Sequence, residues 1–161
     1  LTQAPRVLDE RIAYIMHSLL GDVIKYGTGR RARSLERSDL GGKTGTTNEA
    51  DTWFAGYQPE LAAVAWIGFA DNRPLGSNEF GSNTALPVWI EFMETALRDV
   101  EEFTWNQPPG VTRLRIDPAT GAVASADQAD AIFELFTSET APDESSQGGP
   151  AAPEATPESI F

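Results

Sequence analysis

Cysteine is missing from all 161 residues, which excludes disulfides, zinc–thiolate sites and thiol catalysis. No apolar run approaches the ~18 residues needed to cross a bilayer. The chain opens on Leu1 with no signal-peptide pattern, as an excised piece of a longer, exported or membrane-anchored parent would. Histidine occurs once, as His17. A lone imidazole with no ligand partner reads as a half-buried structural residue rather than a metal ligand. Basic residues are scarce in the C-terminal part. Residues 1–98 hold 12 acidic and 10 basic side chains, whereas residues 99–161 hold 12 acidic and only two basic ones, Arg113 and Arg115. The formal charge of −12 is therefore mainly C-terminal, and nucleic acid is excluded as a partner there. A front-half cluster, Arg30, Arg31, Arg33 and Arg37, lacks interleaved aromatics and reads as a solvated loop rather than a polyanion site.

Apolar residues make up 40% of the chain, enough for a core. Ile12, Ile15, Met16, Leu19, Leu20, Val23 and Ile24 follow helical spacing. Asp9 suits the N-cap, Glu10 the first turn, and Gly27 and Gly29 the end. Two aromatic-rich runs, Asp51 to Tyr57 and Leu61 to Phe69, are separated by Gln58-Pro59-Glu60, a hairpin signal. With the small, β-branched stretch 41–48 they predict an antiparallel meander. A loop from Ala70 to Thr84 leads to a second helix, with Thr84 as N-cap, Pro87 in the first turn, and Leu86, Trp89, Ile90, Met93, Leu97 and Val100 as its buried stripe. Trp53, Tyr57, Trp66 and Trp89 read as core, and Asp51 as a turn or ion-pair residue. Residues 106–137 predict a short β-rich extension, Val111 to Ile116 and Ala131 to Phe136 around the turn 117–121. From Ser138 the composition turns to Pro, Ser, Gly, Ala and acid, which predicts an acidic disordered tail over 138–161.

The chemistry-bearing stretch is Lys43-Thr44-Gly45-Thr46-Thr47-Asn48. In a strand, residues 43, 45 and 47 share one face and 44 and 46 the other. Gly45 lets another backbone or a ligand come close. At a sheet edge, an extended peptide can add beside such a strand through main-chain hydrogen bonds. The Thr44 and Thr46 hydroxyls are suited to a carboxylate, Lys43 supplies a positive field, and the Thr46 N–H suits an oxyanion. Gly-Lys-Thr also occurs in phosphate-binding loops, but the glycine that motif requires at position 37 is Arg37, and no apolar helix follows.

The motif has company. Asp51-x-Trp53-Phe54-x-Gly56-Tyr57, Trp66-x-Gly68-Phe69, Arg73-Pro74-Leu75-Gly76 and Thr84-Ala85-x-Pro87-x-Trp89 follow it, and Val7-Leu8-Asp9 with Tyr26-Gly27-Thr28-Gly29 frame the helix before it. In this order, over residues 1 to about 137, they resemble the transpeptidase domain of class A penicillin-binding proteins. Ala70 departs from the pattern, where the family leads one to expect an acidic residue. The resemblance implies an α/β (α+β) fold, β-lactamase/transpeptidase-like: an antiparallel sheet flanked by helices, here incomplete, with its last three strands. Residues 1–105 would be the C-terminal portion of the transpeptidase domain, 106–137 the extension and 138–161 the tail.

The family's site joins Ser-x-x-Lys, Ser-x-Asn and Lys-Thr-Gly. No serine of this chain has Lys three residues on, and none has Asn two on. The nucleophile is therefore absent from the chain, as an N-terminal truncation would leave it, and the piece alone is expected to be inactive. By resemblance, Lys43, Thr44, Gly45, Thr46 and Thr47 bind substrate, and the Thr46 N–H is the oxyanion donor. The implied partners are peptidoglycan stem peptides, β-lactams and the remainder of the parent chain. No cofactor or metal is implied. The parent would be a serine-type D-Ala-D-Ala transpeptidase, with a glycosyltransferase half, on the periplasmic side of the bacterial inner membrane, reaching the membrane only through its missing N-terminal segment. Two rival readings are a module in 107–161 that binds a periplasmic partner, and a serine β-lactamase relative.

Overall fold

The structure is a computed structural model describing residues 5–143. The elements are α1 (Glu10–Lys25), a 3-10 helix η1 (Arg30–Leu35), β1 (Gly41–Thr47), β2 (Asp51–Gln58), β3 (Leu61–Gly68), α2 (Ala85–Ala96), β4 (Val111–Ile116) and β5 (Ile132–Thr137). Among the described residues they form two compact units, one of residues 13–106 and one joining residues 5–12 to 107–143.

In the larger unit, β1, β2 and β3 make an antiparallel sheet in that order. Gly45 lies opposite Trp53 and Trp53 opposite Trp66. Gln58 belongs to β2 and pairs with Leu61, so the hairpin loop shrinks to Pro59-Glu60. Because β-strand side chains alternate, Thr52, Phe54, Gly56 and Gln58 point to one face and are buried. α2 covers that face with Leu86, Trp89 and Met93, all essentially inaccessible. Trp89 meets Phe54 edge to face at 4.8 Å between centroids and donates its indole N–H to the Ala63 carbonyl at 3.1 Å. Gly56 is required here, since a Cβ would lie 2.6 Å from the Trp89 ring. Leu97, Ala85, Ala65, Leu40, Ala32 and Ile24 complete the core. Full burial of one large apolar side chain stabilises by about 1.5–3 kcal/mol before ordering entropy.

Several expectations need correction. Along α1, Ile12, Met16 and Leu19 are exposed, and the buried positions are His17, Gly21 and Ile24. Helical spacing marks apolar residues but cannot say which of them find a covering surface. Thr84 takes the N-cap position without capping: its Oγ1 lies 2.6 Å from Thr52 Oγ1 and 2.7 Å from the Phe80 carbonyl. Of the four aromatics read as core, Trp89 is. Trp53 and Trp66 are 41% and 47% exposed on the opposite face of the sheet, 6.1 Å apart. Asp51 makes no ion pair among the described residues and accepts the Trp66 indole N–H at 2.8 Å. The basic cluster is not a loop, because Arg30, Arg31 and Arg33 lie in η1.

In the smaller unit, β4 and β5 pair antiparallel from Val111↔Thr137 to Ile116↔Ile132. The turn 117–121 closes by Gly121 N–H to the Asp117 carbonyl at 2.8 Å, with Gly121 at φ +73°. Arg113 stacks over Phe133, and Arg11 pairs with Glu139 at 2.7 Å. The Ser138 N–H bonds the Gly110 carbonyl at 2.9 Å, so order continues past residue 137. Most of the expected disordered tail, residues 144–161, lies outside the described residues. Among the described residues no helix is long and apolar enough to cross a membrane.

The outer side of β3 is an unpaired edge among the described residues, and Val64 (63% exposed), Trp66 and Trp53 make an apolar patch beside it. Such edges template association. The 161-residue chain made alone is expected to self-associate, and Val64→Lys to shift it toward monomer. Light-scattering mass across a concentration series checks this, and a cooperative melt of a monomeric wild-type chain would contradict it.

Candidate functional site

β1 is an edge strand, with β2 on one side and no strand on the other among the described residues. Its first two residues, Gly41 and Gly42, are buried. Accessibility then opens along the strand, with Lys43, Thr46 and Thr47 exposed and Thr44 and Gly45 half-buried. The motif therefore lies on an accessible sheet margin.

A short polar network holds its side chains. Lys43 Nζ donates to the Thr44 carbonyl at 2.8 Å and lies 3.3 Å from Thr44 Oγ1. Thr44 Oγ1 is 2.6 Å from Thr28 Oγ1, in the segment after α1. Thr46 Oγ1 accepts the Gly81 N–H at 3.2 Å. Gly81 lies so close that a Cβ there would fall 2.3 Å from the Trp53 carbonyl oxygen and 2.7 Å from that of Gly45. Only glycine fits. On the other face, a Cβ at Gly45 would meet Trp53 Cβ at 3.3 Å. Thr47 pairs with Asp51 beside the turn and makes no side-chain hydrogen bond among the described residues. Sequence reasoning singled out residues 43–47 but missed Thr28 and Gly81. The Tyr26-Gly-Thr-Gly29 signature was the available signal for Thr28. Nothing in the loop composition singled out Gly81.

The lead-in to β1 is anchored by a second device. Asp39 is fully buried, 2.7 Å from Arg37 in an ion pair. Arg37 also donates to the Val100 and Glu101 carbonyls at 2.8 and 3.2 Å, and Asp39 accepts the Phe103 N–H at 3.0 Å. The stretch 100–103 is thereby tied to the residue that precedes Leu40 and β1. Burial by itself raises the Asp39 carboxyl, but the hydrogen bonds from Arg37 and Phe103 and the guanidinium charge outweigh it and leave it below the ordinary carboxylate value.

His17 is the structural histidine expected, with its Nδ1 3.2 Å from the Tyr57 hydroxyl and its ring stacked on Trp105 at 4.0 Å. Burial, with Lys25 adding to it, lowers its pKa against the pull of Asp39.

In sequence and fold the chain is similar to penicillin-binding proteins. The sequence is 50% identical to penicillin-binding protein 1A of Pseudomonas aeruginosa over 88% of this chain and 17% of that protein. The chain is penicillin-binding protein 1A-like. It is 38% identical to the protein of that name from Vibrio cholerae, over 88% of this chain and 20% of the relative. The crystal structure of penicillin-binding protein 1A from Haemophilus influenzae superposes with a TM-score of 0.78 at 37% identity, covering 87% of this chain and 22% of that one. No protein-family model matches the chain. It spans about a fifth or less of the length of these two curated relatives. The α+β architecture agrees with the expected fold, represented here by three strands of the main sheet and their helices.

Asp39→Asn is expected to destabilise the larger unit by about 3 kcal/mol, since it breaks the ion pair at a fully buried position and leaves the half-buried Arg37 guanidinium without its counter-charge. The folded-state pKa of Asp39 is depressed, so its contribution is complete above its unfolded value of about 4 and fades as pH falls through the lower folded value. Urea denaturation followed by tryptophan fluorescence at pH 7 and pH 3 checks both: wild type loses stability in acid, and the Asn variant loses less.

Proposed function

We propose that this chain is the Lys-Thr-Gly portion of a peptidoglycan D,D-transpeptidase whose nucleophilic serine, activating lysine and Ser-x-Asn motif lie in the remainder of the parent chain. The observation that carries the reading is the accessible edge position of β1 with Lys43, Thr44, Gly45 and Thr46 upon it. The 1A-like relatives support it.

In this reading an extended stem peptide adds to the free side of β1 as a further strand. The terminal D-Ala carboxylate lies against the Thr44 and Thr46 hydroxyls in the field of Lys43, and Thr47 borders the same subsite. The serine Oγ attacks the carbonyl carbon of the penultimate D-Ala. The oxyanion that forms is held by the Thr46 N–H together with a second donor. Collapse breaks the C–N bond, and the terminal D-Ala leaves as the protonated amine, which gives an acyl-enzyme. An amine from a neighbouring strand then attacks the ester, forms the cross-link and returns the proton to the serine oxygen. A β-lactam presents its own carboxylate and acyl carbon to the same groups and acylates the serine. This chain alone lacks the nucleophile and is inactive. The parent acts on the periplasmic side of the inner membrane and carries a glycosyltransferase half. No cofactor or metal takes part.

In the intact parent, Thr46→Val is expected to slow covalent labelling by a fluorescent penicillin about tenfold or more, because it removes a carboxylate partner and leaves the Gly81 N–H unpaired. The second-order acylation constant from gel fluorescence measures it. An unaltered constant would refute the assigned role.

A further inference from the structure

A cleft of about 560 Å³ opens beside the edge strand, lined by Tyr26, Gly27, Thr28, Arg30, Arg31, Ser82 and Asn83. Its two walls are the two segments that grip β1. Thr28 reaches Thr44, and Gly81, next to Ser82, reaches Thr46. The cleft therefore adjoins the part of β1 assigned to a carboxylate.

Its chemistry is one-sided. Arg30 and Arg31 form no ion pair among the described residues, whereas Arg37 of the same basic cluster is bound to Asp39. Arg33 does not line this cleft. Among the described residues no acidic side chain lines it either, although the chain carries twice as many acids as bases. Arg30 and Arg31, adjacent in η1, with hydroxyls on the same lining, supply planar, multi-donor groups of the kind that recognise carboxylates in paired hydrogen bonds. The tyrosine and the threonine methyl add apolar area for a peptide backbone or side-chain stem.

We propose that this cleft is a subsite for a second carboxylate, carried on a non-terminal residue of the peptide that docks along β1. The inference rests on the transpeptidase reading above and adds to it a preference for acidic over amidated stem peptides, set by Arg30 and Arg31.

The test uses the intact parent and two D-Ala-D-Ala-terminated pentapeptides, one with every non-terminal carboxylate free and one with each converted to carboxamide. Each peptide competes with a fluorescent penicillin for the serine, and the half-protecting concentration is read. Wild type is expected to favour the free-acid peptide about tenfold, the scale of one charge-assisted hydrogen bond. Arg30→Gln with Arg31→Gln should erase the preference, and Arg30→Lys with Arg31→Lys should keep part of it. Covalent labelling of each variant reports a folded site. Labelled wild type that treats the two peptides alike, or a double Gln variant that keeps the full preference, overturns the subsite and leaves the transpeptidase reading standing. Failure of wild type to label at all overturns that reading, and the subsite with it.

Discussion

The seat of Trp89 over Gly56 is the contact on which the described structure of the larger unit depends. The indole fills the space a side chain would otherwise take, packs against Phe54 and reaches across to the β3 backbone at Ala63. It thereby binds the central strand and one neighbour to α2 in a single close-packed joint. Interiors at crystal-like density transmit small displacements, so the position of β2 sets where β1 lies.

From that joint outward, β1 is held by polar contacts rather than by a third strand. Thr28 and Gly81 engage its hydroxyls, and the Arg37–Asp39 pair secures its approach. An edge strand carries main-chain groups free to pair. Side-chain tethers on its faces and at its start hold it still without occupying that free side. Arg30 and Arg31, which form no ion pair among the described residues, line a cleft with Thr28, one of those tethers.

The opposite face of the sheet is left differently. Trp53, Val64 and Trp66 are as apolar as core residues, yet stand substantially open, and α1 likewise leaves Ile12, Met16 and Leu19 uncovered. The chain spans about a fifth or less of its curated relatives, and its apolar pattern reads as core on surfaces that nothing within the described residues covers. Apolar periodicity records a demand for burial, and the described residues meet that demand on one face of the sheet only.

The elements themselves were legible in the order of residues. The two long helical stretches, the meander, the strand stretches 111–116 and 131–136 and the Lys43–Thr47 motif all follow from periodicity, turn residues and β-branched content, which act over a few positions. Thr84 kept its place but not its role, because Thr52, thirty-two residues away, competes for its hydroxyl. The sequence by itself determined the two long helices, the strands and the place of residues 43–47 on one of them, though not η1, since local propensity and alternation depend on near neighbours. Only the tertiary structure decided that Thr28 and Gly81 grip the edge, that Arg37 is half-buried in its pair with Asp39 while Arg30 and Arg31 line a cleft, and that Trp53 and Trp66 stay exposed. Those outcomes depend on which distant surfaces meet, and spacing along a chain does not encode that meeting.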